Sequence, residues 1–129
     1  MMEAVYEFDD RRKILIIRVL GKMTVEEISP VTMDARKKAK DLNYGLLYDF
    51  RGSSYRKAII EAYKWFEEHF DLDDPKVNFV PTANIINEED EEFFKFIETT
   101  MYNRGARLRY FLDEEQAVRW LESIRNDEM

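Results

Sequence analysis

Short apolar runs rich in β-branched and aromatic residues alternate along this chain with amphipathic segments of helical period. That alternation limits the fold more than any other feature of the sequence. The predicted order of elements is β-β-α-β-α-β-α-β-α, which is typical of a mostly parallel sheet with right-handed crossovers. The first two strands, in "AVYEFDD" and "RRKILIIRVLG", are joined by a short polar turn, which predicts an antiparallel hairpin. We therefore predict one α/β domain over residues 1–129.

A capping box and an apolar stripe predict the first helix. Thr24 is followed three residues later by Glu27, which is a signature of a helix start. Pro30 leaves two alternatives open: it lies in the first turns of one helix, or it marks a break before the main helix. The apolar stripe of this helix is predicted to consist of Val31, Ala35, Ala39 and Leu42.

The rest of the chain repeats the pattern of strand, cap and helix. A strand from Tyr44 to about Phe50 is predicted to lead through a turn into a helix over about 55–70, capped by Ser53 or Ser54. A further strand is expected at about 82–86. Further predicted features are a helix cap at Asn87, a left-handed helix end at Gly105, a last strand in "ARLRYFL", a cap at Asp113, and a closing helix that buries Ala117, Val118, Trp120, Leu121 and Ile124.

Composition excludes several classes of function. Acidic residues outnumber basic ones by 27 to 20, and the resulting charge of −7 argues against a general nucleic-acid binder. The absence of cysteine excludes disulfides, thiol nucleophiles and thiolate metal sites. No secretory signal is visible, and no apolar run is long enough to span a bilayer. We therefore predict a cytoplasmic protein with no integral membrane segment.

The stretch "LLYDFRGSSYRKA" carries most of the candidate functional residues. Ser53 and Ser54 precede a predicted helix, so the ordinary interpretation is that one of them caps it. The alternative is an anion site or a phosphoacceptor at the helix N-terminus, with charge supplied by Arg51 and Arg56.

A second group of polar residues is predicted at the carboxyl edge of the sheet, where ligands of parallel α/β folds collect. Asp49 is expected to end its strand there, and Asn84, Asn87 and Asp113 are expected on the same edge. The ordinary alternative for Asp49 is a pair with a loop amide or an arginine.

No catalytic, metal or cofactor motif accompanies these residues. His69 is the single histidine and has no nucleophile motif beside it, so it is interpreted as a partner of a helix dipole. "DLDDPKVN" lacks the glycine and glutamate of a calcium loop, and "EEDEE" is interpreted as a solvated helix start. Trp65 lies off the apolar line of its helix and is predicted to be partly exposed. We expect no enzyme activity, no cofactor and no metal.

Four stretches resemble the STAS-like superfamily, and within it the SpoIIAA-like group related to bacterial anti-sigma-factor antagonists. They are "LGKMTVEE", "LLYDFRG", "NEEDEEFFKFIETTMYNRGARLRYF" and "FLDEEQAVRWLES". The resemblance implies a sheet with helices mainly on one face. It also implies regulated protein–protein contacts, with small or lipid ligands in some relatives. Antagonists carry a phosphorylatable serine in an Asp-Ser-Ser-Gly type motif; here "RGSSYR" has no Asp directly before the serines, and its Gly precedes them.

Two functions follow from these observations. The first is a non-enzymatic regulatory or protein-interaction module with a protein partner. The alternative is a carrier of a small anionic or apolar ligand, lipids included, held in a pocket between the helices and the sheet. The oligomeric state stays open, a homodimer included.

Overall fold

The computed structural model describes residues 1–68, 80–103 and 107–128, and within them the chain forms five strands, four α-helices and one short 3₁₀ helix. The strands are β1 (Glu3–Asp9), β2 (Ile14–Lys22), β3 (Gly45–Ser54), β4 (Thr82–Ile85) and β5 (Leu108–Phe111). The α-helices are α1 (Val25–Leu42), α2 (Arg56–Glu68), α3 (Glu91–Asn103) and α4 (Glu114–Glu128). The 3₁₀ helix, Glu88–Asp90, leads directly into α3.

The strands lie in the sheet in their order along the chain. β1 pairs antiparallel with β2, and β2, β3, β4 and β5 pair in parallel, which confirms the predicted hairpin and the mostly parallel sheet. Among the described residues, helices α1, α2 and α3 pack on one face of the sheet, as expected when right-handed crossovers advance by one strand in the same direction. Helix α4 follows the last strand and covers the other face.

Two apolar cores result, one on each face of the sheet. Leu15 and Ile17 of β2 face the core under α1, α2 and α3, whereas Ile14 and Ile16 face α4. This alternation explains why β2 is a nearly continuous apolar run, since a central parallel strand is buried on both faces.

Helix α1 begins as the capping box predicts. The Glu27 backbone N–H donates to the Thr24 hydroxyl at 3.2 Å, and the helix then continues without a break through Pro30. The first of the two alternatives for the proline is therefore confirmed. Ala35 and Ala39 are fully buried, but Leu42 is 47% exposed, so its place in the buried stripe was wrong. The helix ends at Leu42, and Asn43 after it adopts the left-handed conformation.

The predicted turn and serine cap after Phe50 were wrong. Strand β3 continues to Ser54, because its last residues pair with the end of β2, Gly52 with Leu20 and Ser54 with Lys22. Helix α2 starts at Arg56, and its first backbone hydrogen bond runs from Ile59 N–H to the Tyr55 carbonyl at 3.0 Å. Tyr55, and neither serine, therefore occupies the cap position.

The C-terminal half follows the predicted order with one correction. Asp113 caps α4, since its Oδ1 accepts from the Gln116 N–H at 2.8 Å, and Ala117, Val118 and Leu121 are buried as predicted. Asn87 precedes the 3₁₀ helix, but its side chain makes no capping hydrogen bond. His69, "DLDDPKVN", Gly105 and the side chain of Trp65 lie outside the described residues. No helix within those residues is long and apolar enough to cross a membrane.

Candidate functional site

The residues predicted at the carboxyl edge of the sheet do not form one site. Asp49 does not end its strand; it pairs in register with Ile85, while Tyr48 pairs with Asn84. Neighbours along a strand point to opposite faces, so Asp49 and Asn84 lie on opposite sides of the sheet. In many parallel α/β folds a ligand crevice opens where the order of the strands in the sheet changes direction. Here the five described strands follow one another in chain order, so the sheet they form has no such point.

On the α4 face, Asp49 belongs to an ion network centred on Arg18, which we call the Arg18 cluster: Glu7, Arg18, Asp49, Arg51 and Glu114. Arg18 Nη1 lies 2.8 Å from Glu114 Oε1 and 3.2 Å from Asp49 Oδ2, and Arg18 Nε lies 3.2 Å from Glu7 Oε1. Arg51 adds hydrogen bonds from Nε and Nη2 to the Asp49 carboxylate, each at 3.0 Å. The cluster joins β1, β2, β3 and α4.

Each carboxylate of the Arg18 cluster contacts a guanidinium group. Burial by itself would raise the pKa of Asp49, but the hydrogen bonds from Arg51 and the charges of Arg51 and Arg18 hold that pKa below its usual range. The ordinary interpretation of Asp49, a pair with an arginine, is therefore confirmed. Sequence reasoning missed Arg18 as the centre; its signal was a single cation inside an apolar strand.

Arg56 and Asn87 meet at the carboxyl end of the other face, around Asp90. The Tyr55 hydroxyl donates to the buried Asp90 carboxylate, and Arg56 Nη1 lies 3.5 Å from Asp90 Oδ1. The Asn87 backbone N–H donates to the Tyr55 hydroxyl oxygen at 2.9 Å. Burial, followed by the hydrogen bond to Asp90, raises the pKa of Tyr55 to about 12. Tyr55 therefore stays protonated near neutral pH and ties the start of α2 to the start of α3.

Ser53 and Ser54 lie in different environments. The Ser53 hydroxyl donates to the Phe50 carbonyl at 2.8 Å and is half-buried. Ser54 is exposed at the end of β3, beside Lys22 of β2. Of the pair, Ser54 is the more exposed.

A cavity of about 160 Å³, partly open to solvent, lies between the sheet and helices α1, α2 and α3. Its walls are mainly apolar and include Ile28, Ala62, Ile97 and Met101. An engineered apolar cavity of about 150 Å³ is large enough to take benzene. The space therefore suits a molecule with about one aromatic ring.

The floor of the cavity is polar. Tyr48, Asn84 and Tyr110 lie side by side on β3, β4 and β5, in register with one another. Tyr48 is 4% exposed and Asn84 is 5% exposed, yet within the described residues neither the Tyr48 hydroxyl nor Asn84 Nδ2 has a hydrogen-bond partner. Leaving a buried polar group unpaired costs about 1–3 kcal/mol. We call Tyr48, Asn84 and the half-buried Arg36 at the cavity wall the donor row.

The Tyr48 phenol is a neutral hydrogen-bond donor. Burial raises the pKa of Tyr48 well above its usual value, and the positive charge of Arg36 acts in the opposite direction. Sequence reasoning selected Asn84 but missed Tyr48 and Tyr110, because their shared row depends on register across three strands. In the part of the chain that the structure describes, no cluster of three or more acidic or histidine side chains could hold a metal ion.

Comparison with known proteins supports the fold. No protein-family model matches the chain, and no curated protein matches it. Among solved structures, an uncharacterised protein of the DUF3478 family from Shewanella loihica PV-4, described as having a SpoIIAA-like fold, matches with a TM-score of 0.53 at 18% identity, over 93% of each chain. An anti-sigma factor antagonist from Mycobacterium paratuberculosis matches with a TM-score of 0.48 at 12% identity, over 94% of each chain. The chain therefore has a SpoIIAA-like fold, as its sequence motifs predicted.

Proposed function

We propose that this chain is a non-enzymatic binding module that holds a small, mainly apolar molecule in the cavity between the sheet and helices α1, α2 and α3. The observation that carries the proposal is the cavity itself, which combines about 160 Å³ of space, apolar walls and a polar floor. Ligand pockets in proteins have this composition: mostly apolar lining with a few placed polar groups that fix orientation.

The size of the cavity sets the expected affinity. A ring-sized ligand gains mainly from removing its apolar surface from water, at about 25 cal/mol per Å². Small ligands of this kind reach dissociation constants of about 0.1–1 mM unless polar contacts add to the apolar term. A tighter natural ligand would need to use the polar floor as well.

Toluene binding tests this function directly. Ligand-observed NMR of the purified chain should detect toluene in exchange with the protein, and a native mass spectrum should detect any ligand that co-purifies. Ala62→Phe fills the cavity and should abolish toluene binding, whereas Lys64→Phe on the exposed side of the same helix should leave it intact. A chain that binds no toluene and gives a clean apo mass would contradict the proposal.

The protein-interaction role predicted from the sequence is a second candidate, favoured by exposed aromatic side chains. Phe93 and Phe96, three residues apart on α3, are 38% and 66% exposed. The Arg56 guanidinium lies over the Phe93 ring at 5.8 Å from its centroid, which places this surface next to the start of α2. Aromatic and arginine side chains are enriched at protein interfaces. Ser54, two residues before Arg56, is the accessible residue through which such a contact would be regulated.

Two variants and a matched control test this second candidate. A protein retained by the immobilised chain should be identified, purified and titrated against the wild type. Phe96→Ser and Ser54→Glu should both weaken that affinity, while Tyr102→Ser, at another exposed aromatic on α3, should not. An affinity that neither Phe96→Ser nor Ser54→Glu changes would exclude this surface.

A further inference from the structure

The charged residue in the described lining of the cavity is a cation, although the chain as a whole is acidic. Acidic residues exceed basic ones by 27 to 20 overall, yet no aspartate or glutamate of the described residues lines the cavity. Arg36 is the one charged residue in the described lining. It has no ion pair with any carboxylate in the described residues, in contrast to Arg18 on the other face.

Two polar groups of the cavity lining are buried donors without acceptors among the described residues. The Thr32 and Thr82 hydroxyls, which also belong to the lining, donate to the backbone carbonyls of Ser29 and Val80 at 2.9 Å. The Tyr48 hydroxyl and Asn84 Nδ2 have no such acceptor among the described residues, although both are buried. An unpaired buried donor is rare in native proteins and requires an explanation.

We propose that the cavity is selective for a small carboxylate, with the ring or short chain against the apolar walls and the carboxylate oxygens against the donor row. This inference rests on the proposed function and adds to it the chemical class of the ligand. A carboxylate supplies two acceptor oxygens and one negative charge, which matches two neutral donors and one cation. A neutral hydrocarbon would occupy the walls but leave the donors unpaired.

The size of the cavity limits the rest of the molecule. About one aromatic ring fits within 160 Å³, so benzoate is the simplest complete probe and toluene is the matched probe without the carboxylate. The comparison is diagnostic because a carboxylate enters an apolar cavity only if donors and charge replace the water it loses. In a plain apolar cavity, toluene would bind and benzoate would not.

Titration of the full chain with both probes tests the inference. The wild type should bind benzoate at least as tightly as toluene. Arg36→Gln and Tyr48→Phe should each weaken benzoate binding about tenfold or more, because a site built to pair a polar ligand discriminates strongly when one partner is removed. Toluene binding should stay within about twofold of wild type in both variants. Lys37→Gln removes an exposed charge next along α1 and serves as the control that should change neither probe.

Each result separates the two proposals. If neither probe binds, the proposed function fails and the inference fails with it. If toluene binds but benzoate binds more weakly, the cavity is a ligand site and carboxylate selectivity is overturned. If benzoate binds equally well in wild type, Arg36→Gln and Tyr48→Phe, the donor row is overturned as its recognition element. Thermal melts confirm folding, and Arg36→Gln decides the matter should Tyr48→Phe fail to fold, because Arg36 is only half-buried.

Discussion

The Arg18 cluster and the donor row, which lie on opposite faces of the sheet, differ in how their polar groups are paired. On the α4 face, Arg18 contacts the carboxylates of Glu114, Asp49 and Glu7, and Asp49 has a second cation in Arg51. On the face covered by α1, α2 and α3, the described contacts leave Tyr48 and Asn84 without a hydrogen-bond acceptor and Arg36 without a carboxylate.

This difference in pairing suggests different roles: the Arg18 cluster contributes to stability, and the donor row is suited to binding. In the Arg18 cluster each carboxylate contacts a guanidinium group, and these ion pairs join three strands to a helix. Unpaired donors inside a cavity lower stability in the free chain and become favourable only when an acceptor enters. Buried donors without hydrogen-bond acceptors are a departure of the kind expected at functional sites. The face with the donor row is therefore the better candidate for function, and the Arg18 cluster is a structural clamp.

The largest effect is expected from Arg18→Met, which removes the centre of the clamp. Asp49 and Glu114 then lose a cation while Asp49 stays largely buried, at 12% side-chain exposure. Because Arg18 and Glu114 are partly solvent-screened, the expected loss is about 1–3 kcal/mol of unfolding free energy. Urea denaturation measures it. Lys38→Met breaks only an exposed pair with Asp34 and should cost about 0.5 kcal/mol or less.

A smaller and pH-dependent effect is expected from Asp49→Asn. The pKa of Asp49 is lower in the folded chain than in the unfolded chain, so its carboxylate contributes stability that is present above the ordinary pKa of about 3.9 and is lost as pH falls through the folded pKa. Urea denaturation should find the variant less stable at about pH 7, with the difference narrowing toward about pH 3. A constant difference across that range would contradict the assigned role of Asp49.

Tyr48→Phe should have an effect of opposite sign or none. Its hydroxyl is buried without a partner in the described residues, so removing it takes away a desolvation cost and no hydrogen bond. We expect unfolding free energy to rise by up to about 1 kcal/mol in the ligand-free chain. Asn84→Val tests the neighbouring amide in the same way. A loss above about 1 kcal/mol in Tyr48→Phe would mean that the hydroxyl is paired.

The smallest effect is expected from Arg36→Met, the same substitution as at Arg18 but on the other face. Arg36 has no ion pair in the described contacts, so its loss should change unfolding free energy by about 0.5 kcal/mol or less. The pair of variants tests the comparison of faces most directly. Equal losses in Arg18→Met and Arg36→Met, measured by urea denaturation in one buffer, would remove the distinction.

Much of the fold could be predicted because its signals are local. The capping box at Thr24, the cap at Asp113 and the apolar run of β2 each depend on a few neighbouring residues. The element order then limited the topology, since right-handed crossovers admit few arrangements. The resemblance to the SpoIIAA-like group rested on the same local patterns.

The candidate site could be predicted only in part, because its geometry depends on distant pairing. The end of β3 was misplaced because Gly52 and Ser54 are held in the strand by β2, about thirty residues earlier in the chain. Asp49 and Asn84 were grouped as neighbours, but strand parity and register put them on opposite faces.

The sequence by itself determined the order of elements, the parallel sheet and the helix caps at Thr24 and Asp113. Only the tertiary structure decided that Arg18 is enclosed by carboxylates while Arg36 and Tyr48 border a cavity. The physical reason is that propensity and capping act between neighbours in the chain. Burial, charge compensation and empty space arise only when strands in register and three helices pack over one face.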